Sequence, residues 1–128
     1  MKCKFEHACI RVFDLEKSIK FYEEALGFEV VRRKDVEQFK FSLVFMSDAD
    51  RNFEIELTYN YDPEQAYELG NGFSHFAVIV EDINEAYAKH QEMGVTVSEI
   101  KTIADGFATF YFIADPDGYR TEVIARKQ

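Results

Sequence analysis

Hydrophobic and polar positions along the chain follow two different periods, and the period changes at recognisable signals. In HACIRVFDLEKSIKFYEEALGF, which starts at His7, an extended run leads into Leu15, Ile19, Tyr22 and Leu26, which recur at helical spacing. Asp14 stands just before that stretch as an N-cap, and Gly27 just after it suits the left-handed position that ends a helix. The segment HFAVIVEDINEAYAKHQEMGV, starting at His75, repeats the plan: Asp82 precedes Ile83, Ala86, His90 and Met93, and Gly94 closes the stretch. Asp82 and Glu85 also form the D-x-x-E version of a capping box. Three strand-like runs follow each glycine, FEVVRR, FSLVFM and FEIELTY in the first copy and VTVSEI, FATFYFIA and YRTEVIA in the second. The turns DADRN and Asp115-Pro116-Asp117-Gly118 separate the last two runs of each copy.

Each half therefore reads as strand, helix and three strands. The predicted fold class is α+β, with one domain over residues 1–128 made of two tandem βαβββ modules, about 1–62 and about 72–128. A module of this size cannot bury its sheet face alone and needs a partner.

The run FEIELTYN, residues 53–60, raises a question of faces. Phe53, Ile55 and Leu57 alternate with Glu54, Glu56 and Thr58, so both glutamates point the same way. The duplication separates them. Glu56 lies 49 residues after His7 and Glu122 lies 47 after His75, whereas Arg120 stands where the first copy has Glu54. Glu54 is accordingly expected to be an ordinary solubilising charge. Each half offers one His on its first strand and one Glu on its last, and a curved sheet can bring these face to face. Two imidazoles and two carboxylates would suit Ni²⁺, Co²⁺, Zn²⁺, Fe²⁺ or Mn²⁺, although on spacing alone a strand-opening histidine is more often capped or exposed than a ligand. His90 has no equivalent in the first copy and reads as packing or surface. Cys9, between His7 and Arg11 on one strand face, reads as a small buried hydrophobe that could line a cavity.

Composition narrows the partners. A 47% hydrophobic content with 13 Phe and 7 Tyr supplies a core and argues against disorder. With 15 Lys plus Arg against 24 Asp plus Glu, the formal net charge of -9 repels nucleic acid and anionic membranes, and neither is expected as a partner. The apolar runs are strand-sized, and MKCKFEH is followed by no apolar stretch of signal-peptide length, so a cytoplasmic location is expected. Cys3 and Cys9 on one extended segment would be about 20 Å apart, too far to bridge, and are expected to be reduced thiols.

Together, the two halves, the run FEIELTYN, the segment GFSHFAVIVED and the ending IADPDGYRTEVI resemble the bacterial glyoxalase I branch of the vicinal oxygen chelate superfamily, also called lactoylglutathione lyase. The resemblance covers roughly residues 5–125 and implies the vicinal oxygen chelate (glyoxalase-like) fold. It implies that His7, Glu56, His75 and Glu122 are ligands of one divalent metal, with nickel favoured over cobalt or zinc and two waters completing an octahedral shell. It also implies a homodimer whose sites each take one His–Glu pair from either subunit.

The implied activity converts the hemithioacetal of methylglyoxal and glutathione to S-lactoylglutathione, a lyase reaction that detoxifies methylglyoxal. By the same correspondence Glu122 is the base, with Glu56 in the matching part on the other face of the substrate, and Arg11 and Asn60 hold the glutathione carboxylate and amide. Where some glutathione-using relatives carry basic residues this chain has Asn71 and Ala104-Asp105-Gly106, which leaves the identity of the thiol open. The alternatives are another protein of the superfamily: a metal-dependent epimerase, a thiol transferase, or a metal-free drug-binding resistance protein.

Overall fold

The computed structural model describes residues 1–103, 106 and 108–126. Two compact units divide the chain, Met1–Glu68 and Leu69–Gln128. The first runs β1 (His7–Arg11), α1 (Leu15–Leu26), β2 (Glu29–Val36), a 3₁₀ turn (Glu37–Phe39), β3 (Phe41–Ser47) and β4 (Glu54–Asn60). The second repeats the order with β5 (His75–Ile79), α2 (Ile83–Glu92), β6 (Lys101–Thr102), β7 (Ala108–Ala114) and β8 (Arg120–Arg126). Each unit holds one four-stranded sheet, ordered β1-β4-β3-β2 and β5-β8-β7-β6. The first strand of each unit lies parallel to the last, and the remaining pairs are antiparallel. Two βαβββ modules of this kind are the α+β arrangement expected from the sequence.

The predicted helix signals act as capping groups. Asp14 accepts the Lys17 amide, and Asp82 accepts the amides of Asn84 and Glu85. Gly27 takes φ 69° and donates to the Glu23 carbonyl, closing α1 in the left-handed conformation that glycine adopts without strain. Leu15, Ile19, Tyr22 and Ala25 of α1 are buried, as are Ile55 and Leu57 of β4 against which the helix packs. Each large apolar side chain so buried contributes about 1.5–3 kcal/mol. The helix takes one face of the sheet, which leaves the face bearing His7, Glu54 and Glu56 for chemistry.

In the second unit α2 packs on β7 and β8. His90, 3% exposed, points inward, with Nδ1 2.6 Å from the Tyr111 hydroxyl, and so serves as packing. Tyr111 is itself fully buried, and desolvation pushes its phenol well above the ordinary range. In the turn before β8, the Asp115 carboxylate accepts the amides of Asp117 and Tyr119.

Two local departures from the sequence pattern matter. The run VTVSEI, residues 95–100, was expected as a strand but makes a single bridge, Thr96 to Ile113, and the outer strand is only Lys101–Thr102. The Phe112 amide donates to the Ser98 hydroxyl at 2.9 Å, so a side chain takes the place of a ladder carbonyl and the regular pairing is interrupted. In β2 the register shifts between Val30 and Arg32, so that Val30 pairs with Met46 and Arg32 with Phe45. That bulge turns Arg32 onto the sheet face of Phe45, away from the helix side.

Candidate metal centre

Strand pleating places His7, Cys9 and Arg11 of β1 on the same face as Glu54, Glu56, Thr58 and Asn60 of β4, with Cys9 opposite Glu56 and Arg11 opposite Thr58. His7 Nε2 lies 3.3 Å from Glu56 Oε1. In the second unit Ala77 is opposite Glu122, and His75 Nε2 lies 3.3 Å from Glu122 Oε1. The two pairs also match in environment. His7 packs edge-on against Phe45 with ring centroids 5.3 Å apart, and His75 against Phe112 at 5.1 Å. In both units the residue before the histidine engages Nδ1, the Glu6 carboxylate for His7 and the Ser74 hydroxyl for His75. Occupying Nδ1 orients the ring and leaves Nε2 for the facing carboxylate or an ion.

The donor set fits a divalent metal. Two donors each ~2.1 Å from one ion stand ~3.0 Å apart at an octahedral angle and ~3.4 Å apart at a tetrahedral one. The 3.3 Å separation in each unit falls in that interval. Among the described residues no group of three or more His, Cys, Asp or Glu is disposed to hold a metal ion. Within either unit the pair alone offers two donors to an ion.

Glu56 is more firmly held than its twin. It accepts the Thr58 hydroxyl at 2.7 Å, and Cys9 Sγ lies 3.1 Å from the same hydroxyl. Burial pushes the Glu56 carboxyl up, but hydrogen bonds from Cys9 and Thr58 and the charges of His7 and Arg32 outweigh it, leaving the group below the usual carboxylate range. Desolvation and the hydrogen bond to Glu56 push the Cys9 thiol up. Cys9 is exposed, contrary to its reading as a buried hydrophobe, because it shares the open face of the sheet with His7.

Glu54 is not a free solubilising charge. Arg32 grips it with two nitrogens, Nη2 to Oε1 at 2.8 Å and Nη1 to Oε2 at 3.1 Å, and reaches Glu6 at 3.3 Å. The guanidinium also lies over the Phe45 ring, 3.9 Å from its centroid. Arg32 was missed in the sequence because only the bulge puts it on this face; Thr58 could have been found from its place two residues after Glu56.

Arg11 and Asn60 are exposed on the His7 face, and Asn60 Nδ2 donates to the Tyr67 hydroxyl at 3.4 Å. Asn71 lines a cavity of about 430 Å³ in the second unit together with Ser74, Phe112, Tyr119 and Arg120. Ala104 and Asp105 lie outside the described residues. A cavity of about 740 Å³ in the first unit, lined by Phe13, Glu16, Asp35 and Tyr59 among others, includes none of the site residues.

Residues 4–123 match the family model of the Glyoxalase/Bleomycin resistance protein/Dioxygenase superfamily. A protein of Neisseria meningitidis named lactoylglutathione lyase is 40% identical over 124 residues, covering 94% of this chain and 89% of its own length. A probable lactoylglutathione lyase of Synechocystis is 40% identical over 121 residues, with 92% of each chain covered. Among solved structures, the trypanothione-dependent glyoxalase I of Leishmania major aligns with a TM-score of 0.83 at 37% identity, over 97% of this chain and 87% of that one. Glyoxalase I of Zea mays aligns at 0.85 and 35% identity over 95% of this chain, which spans only 44% of that longer one.

Proposed function

Because the chain belongs to the glyoxalase superfamily and is closely similar to several lactoylglutathione lyases, we propose that it is a metal-dependent glyoxalase I that isomerises the hemithioacetal of methylglyoxal and a thiol to the lactoyl thioester. The observation that carries this reading is the repeated His–Glu pair, 3.3 Å apart in both units. Each pair supplies two ligands, so the full set of His7, Glu56, His75 and Glu122 is assembled in a homodimer from one pair of either subunit. Nickel is the first choice of metal, then cobalt or zinc, since imidazole and carboxylate donors of borderline hardness accept all three. The free thiols Cys3 and Cys9 fit a reducing cytoplasm. Among the described residues no helix is long and apolar enough to cross a membrane.

The reaction moves one proton between adjacent carbons, while the hydroxyl proton passes from the oxygen on the carbon bearing sulfur to the oxygen on its neighbour. When bound, the divalent ion supplies positive charge against the oxygen charge that develops as the C–H bond breaks. The Glu122 carboxylate takes the proton from the carbon bearing sulfur and returns it to the neighbouring carbon after the enediolate has formed. Glu56 faces the substrate from the other side. The histidines hold their places as ligands. Arg11, whose planar fork matches a carboxylate, and Asn60 hold the carboxylate and amide of the thiol portion. Glutathione is the first candidate, and the trypanothione dependence of the Leishmania relative makes other thiols part of the test.

The experiment is to strip the protein with chelator, add back Ni²⁺, Co²⁺ or Zn²⁺, and follow thioester formation from methylglyoxal with glutathione or another low-molecular-weight thiol. Turnover restored by at least one metal is expected; none with any metal and thiol would remove this function.

A further inference from the structure

The two His–Glu pairs are alike in separation and ring packing but differ in what stands behind the carboxylate. Glu56 has a threonine two residues on, Thr58, which donates to Oε2 at 2.7 Å, and a thiol, Cys9, directly across the strand pair. Glu122 has Ile124 two residues on and Ala77 directly across. The register is the same in both units: Thr58 pairs with Arg11 as Ile124 pairs with Ile79. The difference therefore comes from side-chain chemistry alone. A hydroxyl and a thiol are replaced by a butyl and a methyl group, neither of which donates a hydrogen bond. Among the described residues, the facing His75 is the one polar side chain the structure sets against the Glu122 carboxylate.

We propose that this asymmetry divides the labour of the site. Thr58, supported by Cys9, is a positioning residue that clamps Glu56 as a fixed ligand, whereas Ile124 and Ala77 leave Glu122 free to detach and carry the proton. The inference rests on the glyoxalase reading for the proton step, but the clamp itself is a property of metal binding. A carboxylate that must leave an ion and return works best with few competing hydrogen bonds, because each donor that fixes it in one pose opposes the motion. A carboxylate that only holds the ion benefits from the same donors, which orient it and limit the entropy lost on binding. The Glu6 carboxylate on His7 Nδ1, with only a hydroxyl at His75, biases rigidity the same way.

The test moves the clamp. Thr58→Val removes the hydroxyl at nearly constant shape, Thr58→Ser keeps it, and Ile124→Thr installs one beside Glu122. Metal affinity is read by chelator competition, separately from kcat and KM at saturating metal, with circular dichroism and thermal melts confirming a folded protein. Thr58→Val should weaken metal binding about tenfold or more with kcat at saturating metal changed less than about threefold, and Thr58→Ser should restore the affinity. Ile124→Thr should keep or tighten metal binding while lowering kcat about tenfold. Equal effects from Thr58→Val and Ile124→Thr, or unchanged affinity in the first and unchanged kcat in the second, would overturn the proposal. If the wild type turned over no hemithioacetal, the glyoxalase reading would fail, and the affinity measurements alone would decide the clamp: it stands if Thr58→Val weakens binding and Ile124→Thr does not, and falls otherwise.

Discussion

Replacing Arg32 by Ala tests whether Glu54 is a member of the site face or a surface charge. The guanidinium makes two contacts with Glu54, at 2.8 and 3.1 Å, one with Glu6 at 3.3 Å, and sits 3.9 Å from the Phe45 ring centroid. Exposed ion pairs are worth about 0.2–1 kcal/mol, and breaking a fully buried one costs about 3–5 kcal/mol. With Arg32 47% and Glu54 23% exposed, this pair lies near the exposed end, and its paired geometry puts the coupling at about 1 kcal/mol. The contact with Phe45 adds about 0.5–1 kcal/mol. Arg32→Ala should therefore cost about 1.5–2 kcal/mol, a fall in Tm of about 5–8 °C for a chain of this length. A denaturant double-mutant cycle with Glu54→Gln isolates the pair from the ring contact. The coupling should shrink in about 1 M NaCl, where the screening length is ~3 Å. Additive mutants, with a coupling below about 0.3 kcal/mol, would refute the reasoning and return Glu54 to the role of a solvated charge.

Glu122→Gln should retain metal while losing most of kcat, checked by metal analysis and steady-state kinetics; near-wild-type activity would rule out Glu122 as the base. Mixing His7→Ala and His75→Ala subunits in equal amounts should restore about a quarter of wild-type activity, since half the dimers are mixed and each has one intact ligand set. No recovery, with heterodimers demonstrated by native mass spectrometry, would refute ligand sharing between subunits. Tyr111→Phe removes the hydroxyl 2.6 Å from His90 Nδ1 in a buried setting, and should cost about 1–3 kcal/mol in urea unfolding; an unchanged midpoint would mean that the pair contributes only shape.

Much of this fold was legible because its determinants are local. Asp14, Asp82 and Gly27 act within one helical turn, and the alternation in FEIELTYN names the faces of β4 without reference to the rest of the chain. The repeat then supplied what a single module could not, by pairing Glu56 with Glu122 and leaving Glu54 aside. Glu54 itself was misjudged because its partner is 22 residues away and reaches it only through the shift after Val30. The break at Ser98 was equally hidden: Val95, Thr96 and Val97 favour a strand, and nothing local announces that a serine hydroxyl will stand in for a carbonyl. Cys9 was assigned to the interior by residue type, whereas its position on the face of His7 makes it exposed.

The irregular stretch at Ser98 has a bearing on how the protein keeps to itself in a crowded cell. An outer strand offers its unpaired amides and carbonyls to any passing chain, and long flat ones seed fibrils. Among the described residues, the second sheet ends at this side in the two-residue strand Lys101–Thr102 and one isolated bridge at Thr96, too broken a template to recruit a foreign strand, and the lysine ammonium discourages stacking further. At the corresponding rim of the first sheet the protection is of another kind: Arg32, Arg33 and Lys34 line one stretch of β2 with charged side chains, the two arginines in ion pairs, beside a twist-inducing bulge. A variant that straightened the Ser98 segment into a full apolar strand would gain ladder hydrogen bonds and lose this safeguard against polymerisation.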